Sequence, residues 1–251
     1  MRDPASAVSL VIPAHNEERE LPATLRAARE ALDAVGLPAE IIVVDDASTD
    51  ATAAIAAAAG ARVVSVALRN IGAVRNAGAA AAENPLLVFV DADTRLPAET
   101  LHQIVAAVRG GAIGGGARLS WDSPPPWPAR VCAWIFLLVW QRMCGWATGC
   151  LVFSRSEDFR AVGGFDPVYY AAEERFLTTV LRKRGRFVIV PHPVITSARK
   201  LRLFGTLKLI GIAVPALFFG RHRLKRPKGL ELLYDAPRET TPTTDIEQET
   251  T

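Results

Sequence analysis

The sequence predicts an α/β fold, a mainly parallel sheet flanked by helices, on three observations. Strand-like runs alternate with helical periodicity through the first ninety residues, the pattern of repeated strand–helix units. Leu86 to Val90 is a five-residue apolar run containing Val and Phe, the mark of a buried strand. Three such runs end in polar clusters, Pro13-Ala14-His15-Asn16-Glu17, Asp45-Asp46 and Asp91-Ala92-Asp93. In a parallel sheet those ends share one edge, where open α/β folds hold their ligands.

Val8 to Ile12 is the first strand. A helix follows, with Pro22 suited to its first turn, Leu25, Ala28 and Leu32 on one face, and Gly36 as its stop. Glu40 to Val44 is the second strand, and Asp50 is placed to cap the Ala-rich helix that ends at Gly60. Arg62 to Ala67 is the third strand, and a helix over Gly72 to Glu83 precedes the strand that carries Asp91. From Gly110 to Arg155 the pattern is less regular, with Gly114-Gly115-Gly116 and Pro124-Pro125-Pro126 reading as turns or an adaptable loop. Arg175 to Arg184 is a helix and Arg186 to Val190 a last strand. No internal repeat is visible.

The 251 residues, half of them hydrophobic, are enough for one domain with a substantial core and an appendage. Composition divides the chain into a domain over 1–198, a basic and apolar helical segment over 199–235, and an acidic, Thr-rich tail over 236–251 that is expected to be disordered. The net charge of +3 is small, but Lys183 to Lys228 is strongly basic. Cys132, Cys144 and Cys150 have neither an even count nor metal-ligand spacing, so reduced thiols are expected. Val8 to Ile12 is too short for a signal peptide. No run reaches the ~20 apolar residues of a membrane span. Val131 to Trp140 and the Pro215-interrupted Leu207 to Gly220 come partway. A cytoplasmic protein is expected, peripheral on the inner face of the cell membrane, with no nucleic acid partner. The membrane contact would come from 199–228, whose apolar residues alternate with cations. The competing reading is that this face completes the core or a dimer contact.

Asp91 and Asp93 are the first chemical candidates. Oxygen-only ligands suit Mg2+ or Mn2+, which usually also hold a substrate phosphate. The plain alternative is a turn with an Asx hydrogen bond. Arg69, Asn70, Arg75 and Asn76 lie between the second and third strand ends. A guanidinium matches phosphate bidentately. Asp46 and Asp50 can serve instead as helix caps. His192 is read as structural before metal ligand. Trp127, Trp134, Trp140 and Trp146 can form an aromatic platform on which a ligand stacks, or be core or membrane-interface residues.

Read in order, Val11-Ile12-Pro13-Ala14-His15-Asn16-Glu17, Val43-Val44-Asp45-Asp46, Ser48-Thr49-Asp50, Arg75-Asn76-Ala77-Gly78, Asp91-Ala92-Asp93, Gly163-Gly164-Phe165-Asp166 and Glu173-Glu174 resemble the inverting family 2 glycosyltransferases of the GT-A fold. The resemblance covers roughly residues 7–200. It implies a Rossmann-like nucleotide-diphospho-sugar transferase using a UDP- or GDP-linked donor and Mg2+ or Mn2+. Pro13, Ala14, His15, Glu17 and Asp46 would surround the base and ribose, Arg75 the diphosphate side, and Asp91 with Asp93 the ribose and metal. Gly163 to Asp166 would begin the acceptor side. The family has Glu-Asp where this chain has Glu173-Glu174, so the general base falls on Glu174, about one methylene farther out. The bland reading is that both acids only start a helix. Processive relatives carry Gln-x-x-Arg-Trp; Ser197-Ala198-Arg199-Lys200-Leu201-Arg202 has no Trp, which points to transfer of a single sugar. The acceptor is left open, a lipid-linked one following if the chain docks on a membrane. A retaining GT-A transferase and a nucleotide-sugar-binding protein without turnover are the alternatives.

Overall fold

The computed structural model describes residues 3–199 apart from 125 and 171. The expected segment 199–235, beyond its first residue, and the tail 236–251 lie outside the described residues. Strand β1 (Val8–Ala14) is buried along its whole length. It pairs in parallel with β2 (Ala39–Asp46) and β4 (Leu86–Val90), and β2 pairs in parallel with β3 (Arg62–Val66). Leu10, Ile12, Val88 and Val90 face one core, while Val11, Val44, Leu87 and Phe89 face the other. Burial on both faces is why these strands read as apolar runs instead of alternating patterns.

Helices α1 (Leu21–Val35), α2 (Thr52–Ala58) and α4 (Ala98–Arg109) supply the first core with Leu21, Leu25, Ala56 and Ile104. The expected Pro at the start of α1 and the stop at Gly36 are both present. Gly36 takes φ +67° and donates its N–H to the Leu32 carbonyl at 3.0 Å. Helices α3 (Ile71–Ala81), α6 (Ser156–Ala161) and α7 (Glu173–Arg184) close the second core with Val74, Phe159 and Leu177. Asp50 is not the expected cap of α2: the N-cap is Ala51, which has no side-chain cap, and Asp50 one residue earlier accepts the Thr52 N–H at 3.0 Å.

The second half departs from the expectation of turns and loops. Gly114 to Gly116 are not a turn but the start of β6 (Gly114–Trp121). A Cβ at Gly115 would lie 2.0 Å from the Val188 carbonyl oxygen and 2.3 Å from the Phe153 ring, so only glycine fits between the neighbouring strands. The final strand β8 (Phe187–Thr196) is twice the expected length, running through Pro191 and Pro193. A register shift between Ala117 and Arg118 moves their partners from Val190 to Pro193, and the bulge absorbs the residues that cannot pair regularly. With β5 (Thr94–Arg95) and β7 (Leu151–Arg155) the sheet order is β3-β2-β1-β4-β7-β6-β8-β5. The sheet is therefore mixed: β7 runs antiparallel to both β4 and β6, and β5 antiparallel to β8. Between β6 and β7 comes α5 (Trp127–Leu137), which passes into a π-helical turn over Leu138–Met143.

The Arg-Asn-Ala-Gly motif sits on α3, and its glycine sets how closely that helix approaches β1 and β2. A Cβ at Gly78 would stand 2.3 Å from Val11 Cγ1 and 2.8 Å from Val44 Cγ2. Helix propensity alone favours Gly78→Ala by about 1 kcal/mol, whereas overpacking costs about 1–3 kcal/mol. The expected outcome is net destabilisation, read as a lower urea midpoint with an unchanged slope.

Candidate active site

The ends of β1, β2 and β4 open into a cavity of about 240 Å³. Pro13, Ala14, His15 and Glu17 line it after β1, Asp46 after β2, and Asp91 with Asp93 after β4. Arg75 enters from α3 and Glu173 from the first turn of α7. The convergence expected from a parallel sheet edge is thus present. Glu174 stands just behind this wall, where a side chain at Gly149 would touch both Arg75 and Glu174. Gly149 and Tyr170 also line the cavity; no local signal in the sequence marked either.

The loops after the first three strands are tied to one another. Asn16, Ala47 and Arg69 all adopt positive φ, a conformation rare for side-chain-bearing residues and concentrated at functional sites. Asn16 donates its N–H to Ser48 Oγ at 2.9 Å and accepts the Thr49 N–H at 2.6 Å. Glu18 donates its N–H to Asp50 at 3.2 Å. The Ser-Thr-Asp motif is therefore a strap between the first two loops. Asp46 receives the Leu68 N–H at 2.6 Å and the Arg69 N–H at 3.0 Å, which fixes the third loop. His15 Nδ1 lies 2.6 Å from the Asp46 carbonyl oxygen and Nε2 lies 2.5 Å from Arg69 Nη1. A carbonyl needs a donor and a guanidinium needs an acceptor, so these two contacts match the tautomer with its proton on Nδ1. Glu17 is held by the buried Arg199 at 3.1 Å. Burial lowers the affinity of Arg199 for its proton, but Glu17 and Asp93 outweigh this and raise it.

Arg75 occupies the middle of the site and is almost wholly buried. Its Nη2 donates to Asp91 Oδ1 at 2.7 Å and to the Gly149 carbonyl at 2.8 Å, and its Nη1 donates to Glu173 Oε1. Burial disfavours its charge, yet Asp91, Glu173 and Glu174 more than compensate and hold the guanidinium more firmly protonated than usual. Arg75 lines the cavity as expected, but both terminal nitrogens serve protein partners and tie the D-x-D strand end to the acid pair. Glu174 is pushed up to about 8, by burial first and by Glu173 second, with Arg75 opposing. Glu173 is buried and paired, which is more than starting a helix requires.

The segment 163–169 is fastened to α3 by two asparagines. Asn76 donates to the Phe165 carbonyl at 2.7 Å and accepts the Phe165 N–H at 2.9 Å. Asn70 caps α3 through the Ala73 N–H and donates to the Pro167 and Tyr169 carbonyls. Gly164, at φ +72°, leaves room for Asn76, whose Oδ1 would be 2.6 Å from any Cβ there. Phe165 then enters the second core against Phe89 and Phe159. The tryptophans separate by role. Trp140 is buried and donates Nε1–H to the Ala147 carbonyl, Trp146 carries the Arg175 guanidinium 4.3 Å above its ring, and Trp127 and Trp134 project into solvent. His192 pairs with Thr100 and Gln103 of α4 and does not line the cavity, consistent with a structural role.

The residues present fit a hard divalent cation. Asp91 and Asp93 supply two carboxylates on one cavity wall, and Mg2+ or Mn2+ is commonly held by one or two carboxylates with substrate phosphates completing the shell. Among the described residues no group of three or more His, Cys, Asp or Glu could hold a metal by itself. Such a site would be completed by substrate.

The sequence profile of glycosyl transferase family 2 matches residues 9–136, just over half of the chain, and the chain belongs to that family. An uncharacterized glycosyltransferase of Mycobacterium tuberculosis is 39% identical over 133 residues, covering 50% of this chain and 55% of that protein. The undecaprenyl-phosphate 4-deoxy-4-formamido-L-arabinose transferase of Pseudomonas paraeruginosa is 36% identical over 141 residues, covering 51% and 41%. The chain thus spans about half the length of these relatives. Among solved structures, the glucosyl-3-phosphoglycerate synthase of Mycobacterium tuberculosis, in complex with Mn2+, UDP and glucosyl-3-phosphoglycerate, superposes with a TM-score of 0.61 at 21% identity. The superposition covers 94% of this chain and 84% of that one. The shared architecture is the GT-A fold.

The raised Glu174 carboxyl has a consequence for stability. A carboxyl that holds its proton more tightly when folded contributes full stability below its unfolded value of 4.5, lost as pH rises through about 8. The wild-type protein should lose stability relative to Glu174→Gln between roughly pH 5 and pH 9. Parallel urea unfolding of the two proteins across that range measures the difference, and a pH-independent gap would contradict the assignment.

Proposed function

We propose, from family membership as the premise, that the chain transfers a single sugar from a UDP- or GDP-linked donor to an acceptor hydroxyl or phosphate, with inversion. One observation carries this reading: the carboxylates Asp46, Asp91, Asp93 and Glu173 come together around one cavity at the carboxyl edge of the parallel strands. The catalytic domain is 1–198. The loops carrying Pro13, Ala14, His15, Glu17 and Asp46 hold the nucleoside, their backbone already ordered by the Ser-Thr-Asp strap. Asp91 would serve the ribose, and Asp93 with Asp91 would hold Mg2+ or Mn2+. When bound, that cation neutralises the departing diphosphate.

Glu174 is the general base for a hydroxyl acceptor, taking the proton as the oxygen attacks the anomeric carbon from the face opposite the leaving group. Glu173 and Arg75 position it. At rest Glu174 is protonated at neutral pH, so turnover rises with pH toward about 8 as its base form is populated. The Pseudomonas relative, whose name specifies undecaprenyl phosphate, supports a lipid-linked acceptor here. The location proposed is the cytoplasmic membrane face. Among the described residues no helix is long and apolar enough to cross a membrane.

Asp93→Ala tests the donor side. UDP or GDP with Mn2+ should raise the melting temperature of the wild-type protein, because a ligand of the folded state stabilises it. The variant should lose the Mn2+-dependent part with little change in its ligand-free melting temperature. An unchanged Mn2+ response in Asp93→Ala would place the cation elsewhere.

Glu174→Gln tests the base. Turnover should fall by a factor on the order of 10² to 10⁴ while donor affinity survives. Near-normal turnover would move the role to Glu173 or to a retaining mechanism.

A further inference from the structure

Residues 123–156 contain no Asp or Glu, while Arg130, Arg142 and Arg155 are cationic. Helix α5 lies in this stretch and is largely bare of tertiary cover. Trp127 is 73% exposed, Trp134 63%, Ile135 51% and Val131 48%, with Leu138 exposed at the end of the row. Positions 127, 131, 134 and 138 follow the four-three-four spacing that places side chains on one helix face. Arg130 is exposed on the same helix. Soluble surfaces rarely leave such a contiguous apolar stripe uncovered.

The excursion is rooted at the cavity rim at both ends. Before α5, Asp122 donates its N–H to the Thr196 carbonyl and accepts the Ala198 N–H, each at 3.0 Å. Ser197 in turn donates its N–H to the Asp93 carbonyl at 3.0 Å. After α5, the π-helical turn brings Trp140 onto the Ala147 carbonyl, two residues before Gly149 on the cavity wall. Whatever α5 rests on is therefore held next to the site.

We propose that the exposed face of α5 docks the protein on an anionic lipid surface. Eleven residues rise only about 16 Å, against ~30 Å of hydrocarbon, so the helix lies in the interface and does not span it. Trp127 and Trp134 suit the headgroup boundary, where indoles concentrate. Charge decides between this occupant and the others. A second copy would bring the same acid-free face, with its exposed Arg130, against itself. The chain's own continuation, which leaves from the same rim, carries eight cations and no acid from Lys200 to Lys228. Anionic lipid complements both stretches. This inference does not rest on the donor reading, and either can fail without the other.

The test is sedimentation of the full chain with vesicles of phosphatidylglycerol and phosphatidylcholine at low salt, compared with Trp127→Ser/Trp134→Ser. The wild-type protein should pellet with anionic vesicles, and the variant's bound-to-free ratio should fall about tenfold. Its melting temperature should be unchanged, because both side chains are exposed. Brominated acyl chains should quench wild-type tryptophan fluorescence more than that of the variant. Equal pelleting of the two proteins, or none of the wild type, overturns the proposal. So does a vesicle-free dimer that the variant abolishes, which assigns the face to a second copy. A marked drop in melting temperature also overturns it, because the face would then be packed against the chain itself.

Discussion

The buried charge of Arg75 constrains the rest of the site. A guanidinium cannot be withdrawn from water without partners, and removing one partner of such a buried group costs about 3–5 kcal/mol. Asp91 and Glu173 supply the compensation, and the Gly149 carbonyl takes a second N–H of Nη2. These groups come from the end of β4, the start of α7 and the turn before β7. One side chain on α3 therefore fixes three chain segments that are far apart in sequence. The same requirement gathers carboxylates at high density, and Glu174, next to Glu173, bears the cost as a raised proton affinity.

Around that clamp, several motif residues act on the backbone. Asn76 pairs with both polar groups of Phe165, Asn70 both caps α3 and holds the 167–169 turn, and Ser48, Thr49 and Asp50 strap the first loop to the second. Buried or half-buried backbone groups must find partners. Short polar side chains at loop ends meet that need while holding irregular backbone, including the positive φ of Asn16, Ala47 and Arg69, in place. The result is a cavity whose walls are ordered by the protein itself, which lowers the entropy a ligand must overcome on binding.

The two halves of the chain are built differently. The family profile ends at residue 136, inside α5, and covers the parallel strands and the D-x-D. The first half of the chain is thus the part shared with the family. Beyond it come the π-helical turn, the aromatic contacts of Trp140, Trp146 and Tyr169, and the acid pair.

The strand–helix alternation of the first ninety residues, the Gly36 stop, the Asp91 and Asp93 placement and the shared sheet edge were legible in the sequence, because each follows from local periodicity or from chain direction in a parallel sheet. What only the tertiary structure decided depends on neighbours distant in sequence. Gly114 to Gly116 have the composition of a turn and become a strand because Phe153 and Val188 leave no room for a Cβ. The reversed direction of β7 and the extension of β8 past two prolines are settled by pairing with β4 and β6, which no local propensity encodes. Arg75 is legible as a cation near phosphate chemistry. That its terminal nitrogens bind Asp91, Glu173 and Gly149 is decided by burial, since a charge removed from water takes the nearest carboxylates that the fold brings to it.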